Sequence, residues 1–169
     1  AVKIISLTSN IGYAEGANQG MRLALELNAE WVFLINNDAY VSENFFTALD
    51  AFLRKRPDVT MLGPVIYYHS EPKRIWFFGD KKIGPFYLTR GNYRNQVDRG
   101  QLPEMMNVDF LNGCALLIRR GVIEKVGFFD SSLFMYAEEV DYCWRAKLAG
   151  FNLLALRSVR VWHKVSKSS

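Results

Sequence analysis

The segment Trp31-Val32-Phe33-Leu34-Ile35-Asn36-Asn37-Asp38 decides the fold class of this chain. Its continuous apolar run, bounded by polar residues, is typical of a strand that is covered on both faces, as in a parallel sheet. An apolar pattern with helical spacing precedes the segment, and a second such pattern follows it. Asp38 is therefore predicted to lie just past the carboxyl end of a central strand.

Strands and helices alternate on both sides of this segment. The predicted order is a strand at 2–7, a helix from Gly16, the strand at 31–35, a helix with Ser42 as its N-cap, and a strand at 61–67. This β, α, β, α, β order favours an α/β fold with a mixed, mostly parallel sheet flanked by helices. Ligands of such sheets bind beyond the carboxyl ends of the strands, where Asp38 is expected.

The rest of the chain divides into a loop-rich part and a second ordered part. Glycine, proline and charged residues dominate 68–106, which indicates loops and short strands. The elements expected after it are a strand at 108–118, a short helix at 122–126, a helix closed by Gly150, and strands at 152–156 and 159–162. We interpret 1–169 as a single domain, with a metal-site half at 1–67, an insertion at 68–106 and an acceptor and catalytic half at 107–169.

Composition narrows the classes of function. The chain has 169 residues, is 50% hydrophobic and carries a net charge of +4. Its Lys and Arg residues are scattered, whereas a nucleic-acid interface is usually denser in positive charge, so no nucleic-acid partner is predicted. A mild positive balance suits a nucleotide diphosphate or an acidic membrane surface. Cys114 and Cys143 lie in apolar or helical runs without metal-type spacing, which favours buried free thiols in a reducing compartment.

Asp38 is the first candidate for chemistry. A carboxylate at a strand end, beside the amides of Asn36 and Asn37, can bind a hard divalent cation that bridges a diphosphate. The alternative is an aspartate in a turn that bonds to its own backbone.

Residues 10–20 contain glycines that open a helix, where backbone amides can approach phosphate oxygens. The spacing is not that of a dinucleotide fingerprint. The alternative is that these small residues only let a helix pack closely on the sheet.

Glu138 and Glu139 begin a predicted helix, where the helix dipole favours acids whatever their function. Two adjacent carboxylates after an aromatic run also repel one another. This repulsion can raise the pKa of one of them and make it a general base toward a sugar hydroxyl.

His163 ends an apolar strand and is one of two histidines in the chain. A lone histidine is usually structural or exposed. With Asp38 as a second ligand it becomes a candidate metal ligand, more natural for Mn²⁺ than for Mg²⁺. His69, in a polar loop, is interpreted as a surface residue.

Taken in order, these segments resemble the family 2 glycosyltransferases, enzymes of the GT-A fold that include rhamnosyl- and galactofuranosyltransferases. The resemblance rests on Asn-x-Gly-Tyr-Ala-x-Gly-x-Asn-x-Gly at 10–20, Asn-Asn-Asp at 36–38, the segments 110–120, 126–130 and 134–141, and His163. It covers nearly the whole chain. The implied fold is GT-A-like and Rossmann-like. The implied activity is inverting, metal-dependent sugar transfer from a UDP- or dTDP-sugar to a saccharide or lipid-linked acceptor, in polysaccharide biosynthesis.

The resemblance also implies roles for individual residues. Asp38 and His163 would hold Mn²⁺ or Mg²⁺, and Glu139 would be the catalytic base. The family's usual Glu-Asp pair falls on Glu138 and Glu139, so either glutamate is a candidate. Donor or acceptor binding is implied for Asn10, Gly12, Asn18, Asn37, Asp109 and Gly113.

Family members usually have a strand, a helix and a nucleotide-binding strand before the segment that opens this sequence. The chain therefore resembles a domain without its N-terminal portion, and the isolated fragment is expected to bind donor weakly and to turn over poorly. A cytoplasmic location at the inner face of the membrane, with peripheral attachment of the full-length protein, is a further expectation. The rival hypotheses are a non-catalytic nucleotide-sugar-binding or assembly module and a nucleotidyltransferase.

Overall fold

The computed structural model describes residues 2–83, 88–91, 93–134 and 136–165. Positions 84–87 and 92 of the loop-rich part and Met135 of the aromatic run lie outside the described residues. The helices are α1 (Gly12–Glu26), α2 (Phe45–Lys55), α3 (Arg120–Val126) and α4 (Glu138–Leu148). The strands are β1 (Trp31–Ile35), β2 (Ala39–Val41), β3 (Met61–Tyr68), β4 (Ile75–Phe77), β5 (Lys81–Ile83), β6 (Leu88–Arg90), β7 (Met105–Asn107), β8 (Ala115–Arg119) and β9 (Leu153–His163).

The central sheet has the strand order β1-β8-β3-β9-β2, with β4 paired to β3 and β7 paired to β9. Of these pairings, β3 with β9 is parallel and the others are antiparallel. The prediction of an α/β fold with a mixed sheet is confirmed, but the prediction that the sheet is mostly parallel is wrong. The helical crossover does make β1 and β3 run in the same direction. They are not neighbours, because β8 lies between them and runs the opposite way.

The core has two layers, one on each face of this sheet. Successive residues of a strand alternate between them, as with Met61 and Leu62 or Leu153 and Leu154. One layer contains side chains of α1, α3 and α4, and the other contains Phe45 of α2. Helices therefore cover both faces, and β1, β3 and β9 direct their carboxyl ends to the same edge.

Several predicted elements differ from those in the structure. Residues 2–7 form no strand, and Ile4 is 85% exposed. These residues have strand propensity, but no described strand pairs with them, and pairing is what makes a strand stable. Helix α1 begins at Gly12 rather than Gly16. The N-cap of α2 is Asn44, without a side-chain cap bond, whereas Ser42 accepts a bond from Phe45 N through its carbonyl group.

The remaining differences follow from local backbone bonds. The predicted strand at 108–118 is shortened to β8, because Asn112 Oδ1 accepts a bond from Cys114 N at 2.9 Å and closes a turn. The two final predicted strands are one strand, β9, whose register on β3 jumps from Leu156 to Arg160. The polar residues at this jump are what divided the apolar pattern in the sequence.

Candidate functional site

A cavity of about 510 Å³ opens at the edge of the sheet to which β1 and β9 direct their carboxyl ends. It is lined by Tyr13, Asn36, Asn37, Asp38, Trp76, Asn112, Gly113, Cys114, Tyr136, Glu138, Glu139, His163 and Val165. Four of them, Asn36, Asn37, Asp38 and Val165, lie just past the carboxyl ends of β1 and β9, where ligands of α/β folds bind. The cavity brings together six of the residues predicted from the sequence: Asn37, Asp38, Gly113, Glu138, Glu139 and His163.

Asp38 is positioned by the turn that joins β1 to β2. Asn36 N donates to the Cys114 carbonyl group at 2.9 Å, and Ala39 N donates to the Asn36 carbonyl group at 3.1 Å. Beyond the turn, Ala39 pairs with His163 across the β2–β9 ladder, and Lys164 N donates to the Asp38 carbonyl group. This pairing brings the two predicted metal ligands together, with His163 Nε2 3.1 Å from Asp38 Oδ1.

The imidazole of His163 is held in a largely apolar setting. The residue is 8% exposed, and its ring meets Trp76 edge-on, with ring centroids 4.6 Å apart. Its Nδ1 is buried and has no hydrogen-bond partner among the described residues. Packing against Trp76, rather than a bond at Nδ1, therefore orients the ring toward Asp38.

The pair suits a divalent cation as a partial ligand set. Neighbouring ligands of an octahedral ion at 2.0–2.1 Å lie about 3 Å apart, close to the separation of these two atoms. No group of three or more His, Cys, Asp or Glu side chains able to hold a metal occurs in the part of the chain that the structure describes. Further ligands would have to be substrate phosphates and water, which is how Mg²⁺ is commonly held.

Glu138 and Glu139 begin α4 at the other side of the cavity. The helix follows two residues with left-handed backbone, Tyr136 at φ 73° and Ala137 at φ 70°. Such conformations are unfavourable for side chains other than glycine, and they cluster at functional sites. Burial raises the pKa of Glu138. Burial and then the charge of Glu138 raise the pKa of Glu139, as expected of a carboxylate suited to accept a proton.

Gly113 connects Glu139 to Tyr13. The Tyr13 hydroxyl donates to the Gly113 carbonyl group at 3.1 Å, and the Gly113 backbone partly offsets the rise in the pKa of Glu139. A Cβ atom at position 113 would lie 3.7 Å from Glu139 Cβ and 3.6 Å from the Tyr13 hydroxyl oxygen. Burial, followed by the charges of Glu138 and Glu139, raises the pKa of Tyr13 well above its usual range, so Tyr13 remains a neutral donor.

Four residues predicted to bind donor or acceptor do not line the cavity. Asn18 is 1% exposed, and its side-chain amide exchanges two hydrogen bonds with the Phe129 backbone, at 2.9 and 3.0 Å. The structure thus gives Asn18 a structural contact in place of a ligand-facing one. Asn10 caps the Gly12 amide at 3.0 Å, and Tyr13 N donates to the Phe134 carbonyl group. These bonds fix the start of α1 against the loop before α4.

Asp109 is the fourth residue outside the cavity lining. It forms an ion pair with Lys147, and its Oδ2 accepts a bond from Lys82 N at 2.9 Å. Burial alone would raise its pKa, but the Lys147 side chain and the Lys82 amide lower it. These contacts join the β5 segment to α4, so Asp109 is engaged by protein groups on both carboxylate oxygens.

Seven of the lining residues were not predicted as site residues: Tyr13, Asn36, Trp76, Asn112, Cys114, Tyr136 and Val165. Tyr13, Asn36, Asn112, Cys114 and Tyr136 lie within motifs already quoted, so membership of those motifs was a usable signal, and Val165 follows His163 by two residues. Trp76 lies in the loop-rich part and had no such signal. Both cysteines are buried and free, as predicted. No helix among the described residues is long and apolar enough to cross a membrane.

The fold is that of a GT-A glycosyltransferase. It matches the structure of GalNAc-T7 with UDP, GalNAc and Mn²⁺ at a TM-score of 0.67 and 16% identity, over 93% of this chain and 31% of the other. A197 from STIV matches at a TM-score of 0.56 and 14% identity, over 89% of this chain and 66% of the other. At these identities the likeness concerns the fold.

The chain belongs to the glycosyltransferase-like family 2, whose model matches residues 2–169. It is 27% identical to the N-acetylglucosaminyl-diphospho-decaprenol L-rhamnosyltransferase of Mycobacterium tuberculosis, over 99% of this chain and 60% of the relative. It is 26% identical to the low-salt glycan biosynthesis hexosyltransferase Agl10 of Haloferax volcanii, over 90% of this chain and 48% of the relative. The chain thus spans about half the length of these curated relatives.

Proposed function

We propose that this chain carries the metal-binding and catalytic side of an inverting glycosyltransferase site. The observation that carries the proposal is the shared cavity, which has the Asp38–His163 pair on one side and the Glu138–Glu139 pair on the other. The first pair suits a cation, and the second offers a carboxylate with a raised pKa. Transfer from a nucleotide sugar needs both functions, one for the leaving diphosphate and one for the attacking hydroxyl.

The reaction proposed is a single displacement. Glu139 accepts the proton of an acceptor hydroxyl as its oxygen bonds to the anomeric carbon. The bond from that carbon to the diphosphate oxygen breaks on the opposite side, so configuration inverts. Asp38 and His163 would hold Mn²⁺ or Mg²⁺, which when bound supplies positive charge for the leaving diphosphate.

The residues near Glu139 support its role as base. The Gly113 backbone lies beside the glutamate, and Tyr13 ties that backbone to α1. Burial, and then the charge of Glu138, raise the pKa of Glu139 in the direction that favours general-base catalysis near neutral pH.

The proposal extends to the donor, the acceptor and the cellular location of the protein. The relatives' names mention L-rhamnose transfer, a diphospho-decaprenol acceptor and a hexosyltransferase, and a further relative, from Shigella flexneri, is named as a dTDP-rhamnosyl transferase. The related fold was solved with UDP and Mn²⁺. From these we infer a UDP- or dTDP-sugar donor and a saccharide or lipid-linked acceptor, in polysaccharide biosynthesis. A cytoplasmic site at the inner face of the membrane is the matching location.

The test is a transfer assay with the full-length protein, with and without Mn²⁺, over a panel of UDP- and dTDP-sugars. Glu139→Gln should retain metal-dependent donor binding and lose about 10²–10⁴-fold in transfer, the range for loss of a general base. Asp38→Asn should lose the stimulation by metal. Glu26→Gln, at an exposed position of α1, is the matched control and should be unchanged.

The product anomer, read by NMR, tests inversion separately. Full transfer in both Glu139→Gln and Asp38→Asn would contradict the proposal. Metal-dependent nucleotide binding without transfer to any acceptor would instead favour the non-catalytic binding module.

A further inference from the structure

A second cavity, of about 240 Å³, lies beside β9 and shares no lining residue with the first. Its walls include Tyr67, Lys73, Asp98, Arg157, Arg160 and Trp162. Trp162 precedes His163 in the strand, so the two side chains leave β9 on opposite faces of the sheet. The second cavity therefore opens away from the Asp38–His163 pair, and the proposed transfer reaction does not use it.

An aromatic pair forms one wall of this cavity. Tyr67 and Trp162 are cross-strand neighbours on β3 and β9, and their rings stack with centroids 5.9 Å apart and planes at 26°. Trp162 Nε1 donates to the Pro72 carbonyl group at 3.1 Å, which fixes the indole ring. The wall is thus an ordered surface, suited to the apolar part of a small ligand.

The carboxylate in the cavity is held by its neighbours. Asp98 accepts bonds from the Tyr67 hydroxyl at 2.5 Å and from Gly100 N at 2.8 Å. Burial alone would raise its pKa, but these bonds and the charges of Arg157 and Arg160 lower it. Asp98 is therefore ionised at neutral pH and supplies one negative charge.

Three cationic side chains line the same cavity as this one carboxylate. Arg157 is anchored through a bond from Nη1 to the Leu102 carbonyl group at 2.9 Å, and Lys73 and Arg160 are exposed. Over the residues that the structure describes, no ion pair includes Lys73, Arg157 or Arg160. The cavity thus keeps an excess of positive charge beside an aromatic surface.

We propose that this cavity binds the phosphate group of a phosphorylated ligand. Guanidinium groups match the geometry of phosphate oxygens, and lysine adds a mobile point charge. A phosphate monoester or diester suits the excess of cations, and its sugar or glycerol carbons suit the stacked rings. The ligand is either a soluble phosphorylated sugar or the headgroup of an anionic lipid, which present the same chemistry to the cavity.

The experiment uses inorganic phosphate as probe and NMR of protein labelled with [¹⁵N]tryptophan, in EDTA so that the first site holds no metal. The Trp162 indole signal is assigned by its loss in Trp162→Phe. Phosphate should shift this signal. Arg160→Gln should weaken the apparent affinity about tenfold, the loss expected for one charge-assisted contact. Lys55→Gln removes one charge at an exposed position of α2 and should have no such effect.

Two further measurements test whether the Arg160→Gln variant is folded and where the ligand comes from. Arg160→Lys keeps the charge, so its apparent affinity for phosphate should lie between those of wild type and Arg160→Gln. This result would distinguish the loss of a charge from a loss of structure. Sedimentation with phosphatidylglycerol vesicles, but not with phosphatidylcholine vesicles, in a manner sensitive to Arg160→Gln would identify a lipid headgroup. Phosphate binding without vesicle binding would identify a soluble ligand. An unshifted Trp162 signal, or equal effects of Arg160→Gln and Lys55→Gln, would overturn the proposal.

Discussion

The hydroxyl group of Tyr13, in the first turn of α1, donates a hydrogen bond to the carbonyl oxygen of Gly113 at 3.1 Å. This bond fixes the backbone against which the Glu139 side chain lies. Tyr13→Phe removes the donor and leaves the ring in place. We expect a loss of about 0.5–1.5 kcal/mol in the free energy of unfolding, the usual net value of one such bond, measured by urea denaturation.

The same variant should lower the turnover number of the full-length enzyme more than its donor KM, because it loosens the support of Glu139, the proposed base. Tyr68→Phe is the control, since the Tyr68 hydroxyl bonds to Asn95 at an exposed position outside the cavity. An equal change in turnover for the two variants would argue against a positioning role for Tyr13.

Asn18 is expected to act through folding. Asn18→Ala would leave the buried N–H and C=O groups of Phe129 without their partners. Each unsatisfied buried group costs about 1–3 kcal/mol, so the melting temperature should fall by several degrees. Gln19→Ala, which loses a bond to Glu15 on the same helix, is the control and should have a much smaller effect. Weaker donor binding by Asn18→Ala, without a change in stability, would restore the direct role predicted from the sequence.

Two glycines of α1 should respond in opposite ways to alanine. Gly12 has φ 82°, and a Cβ atom there would lie 2.6 Å from the Phe134 carbonyl oxygen. Gly12→Ala should destabilise the protein by about 2 kcal/mol or more, through the left-handed backbone and the overlap. Gly16 has nothing within 4 Å of an added Cβ, so Gly16→Ala should stabilise by about 0.5–1 kcal/mol. Thermal denaturation measures both, and similar signs would contradict the described start of α1.

Glu139 should make stability depend on pH. Because its pKa is raised in the folded state, the native protein keeps the proton over a range in which the unfolded chain has lost it. The free energy of unfolding should therefore fall as pH rises from about 4.3, the ordinary value for glutamate, through the raised pKa. Glu139→Gln removes this term, so the variant should gain stability relative to wild type above that range and lose the advantage at lower pH. Glu26→Gln serves as the control, and parallel pH profiles for wild type and Glu139→Gln would refute the shift.

The two thiols should be inert in the folded chain. Burial, with the charge of Asp38, raises the pKa of Cys114 to about 12, and burial raises the pKa of Cys143 to about 12. Thiolates are the reactive form, so a disulfide reagent at pH 8 should label neither residue in buffer and both in denaturant. Rapid labelling of either cysteine in buffer would show that the structure that buries its thiol opens locally.

Local patterns predicted the elements that depend on local chemistry. The apolar run of β1 and the helical spacing of α2 and α4 suffice, because burial on a sheet or along one helix face is periodic in sequence. Strand β8 lies antiparallel between β1 and β3 because of contacts between residues far apart in sequence. No periodicity in the sequence predicts this position. The segment 2–7 failed as a strand for a related reason, since propensity does not supply a partner.

The same distinction between local sequence pattern and long-range packing applies to the candidate site. Asp38, Glu139 and His163 were predicted as site residues from their places at element ends and from the order of the motifs, and the structure brings all three to one cavity. Their distances follow from the β2–β9 register, which puts Ala39 opposite His163. Trp76 lines the cavity because its ring packs on that histidine. This contact depends on the path of the loop-rich part, which the sequence pattern does not show. The sequence could not show that Asn18 is buried, because a buried amide and a ligand-facing amide look identical in sequence.

Strand β9 is the last strand in chain order among the described residues, yet it lies between β3 and β2 in the interior of the sheet. Residues up to 163 must therefore emerge from the ribosome before β3 can pair with its parallel neighbour. The two strands are separated by roughly ninety residues of sequence. Until then the apolar edge of β3 is exposed to other nascent chains and to chaperones. The imidazole of His163 reaches Asp38 only in the same late step. Formation of the Asp38–His163 pair therefore coincides with completion of the central sheet.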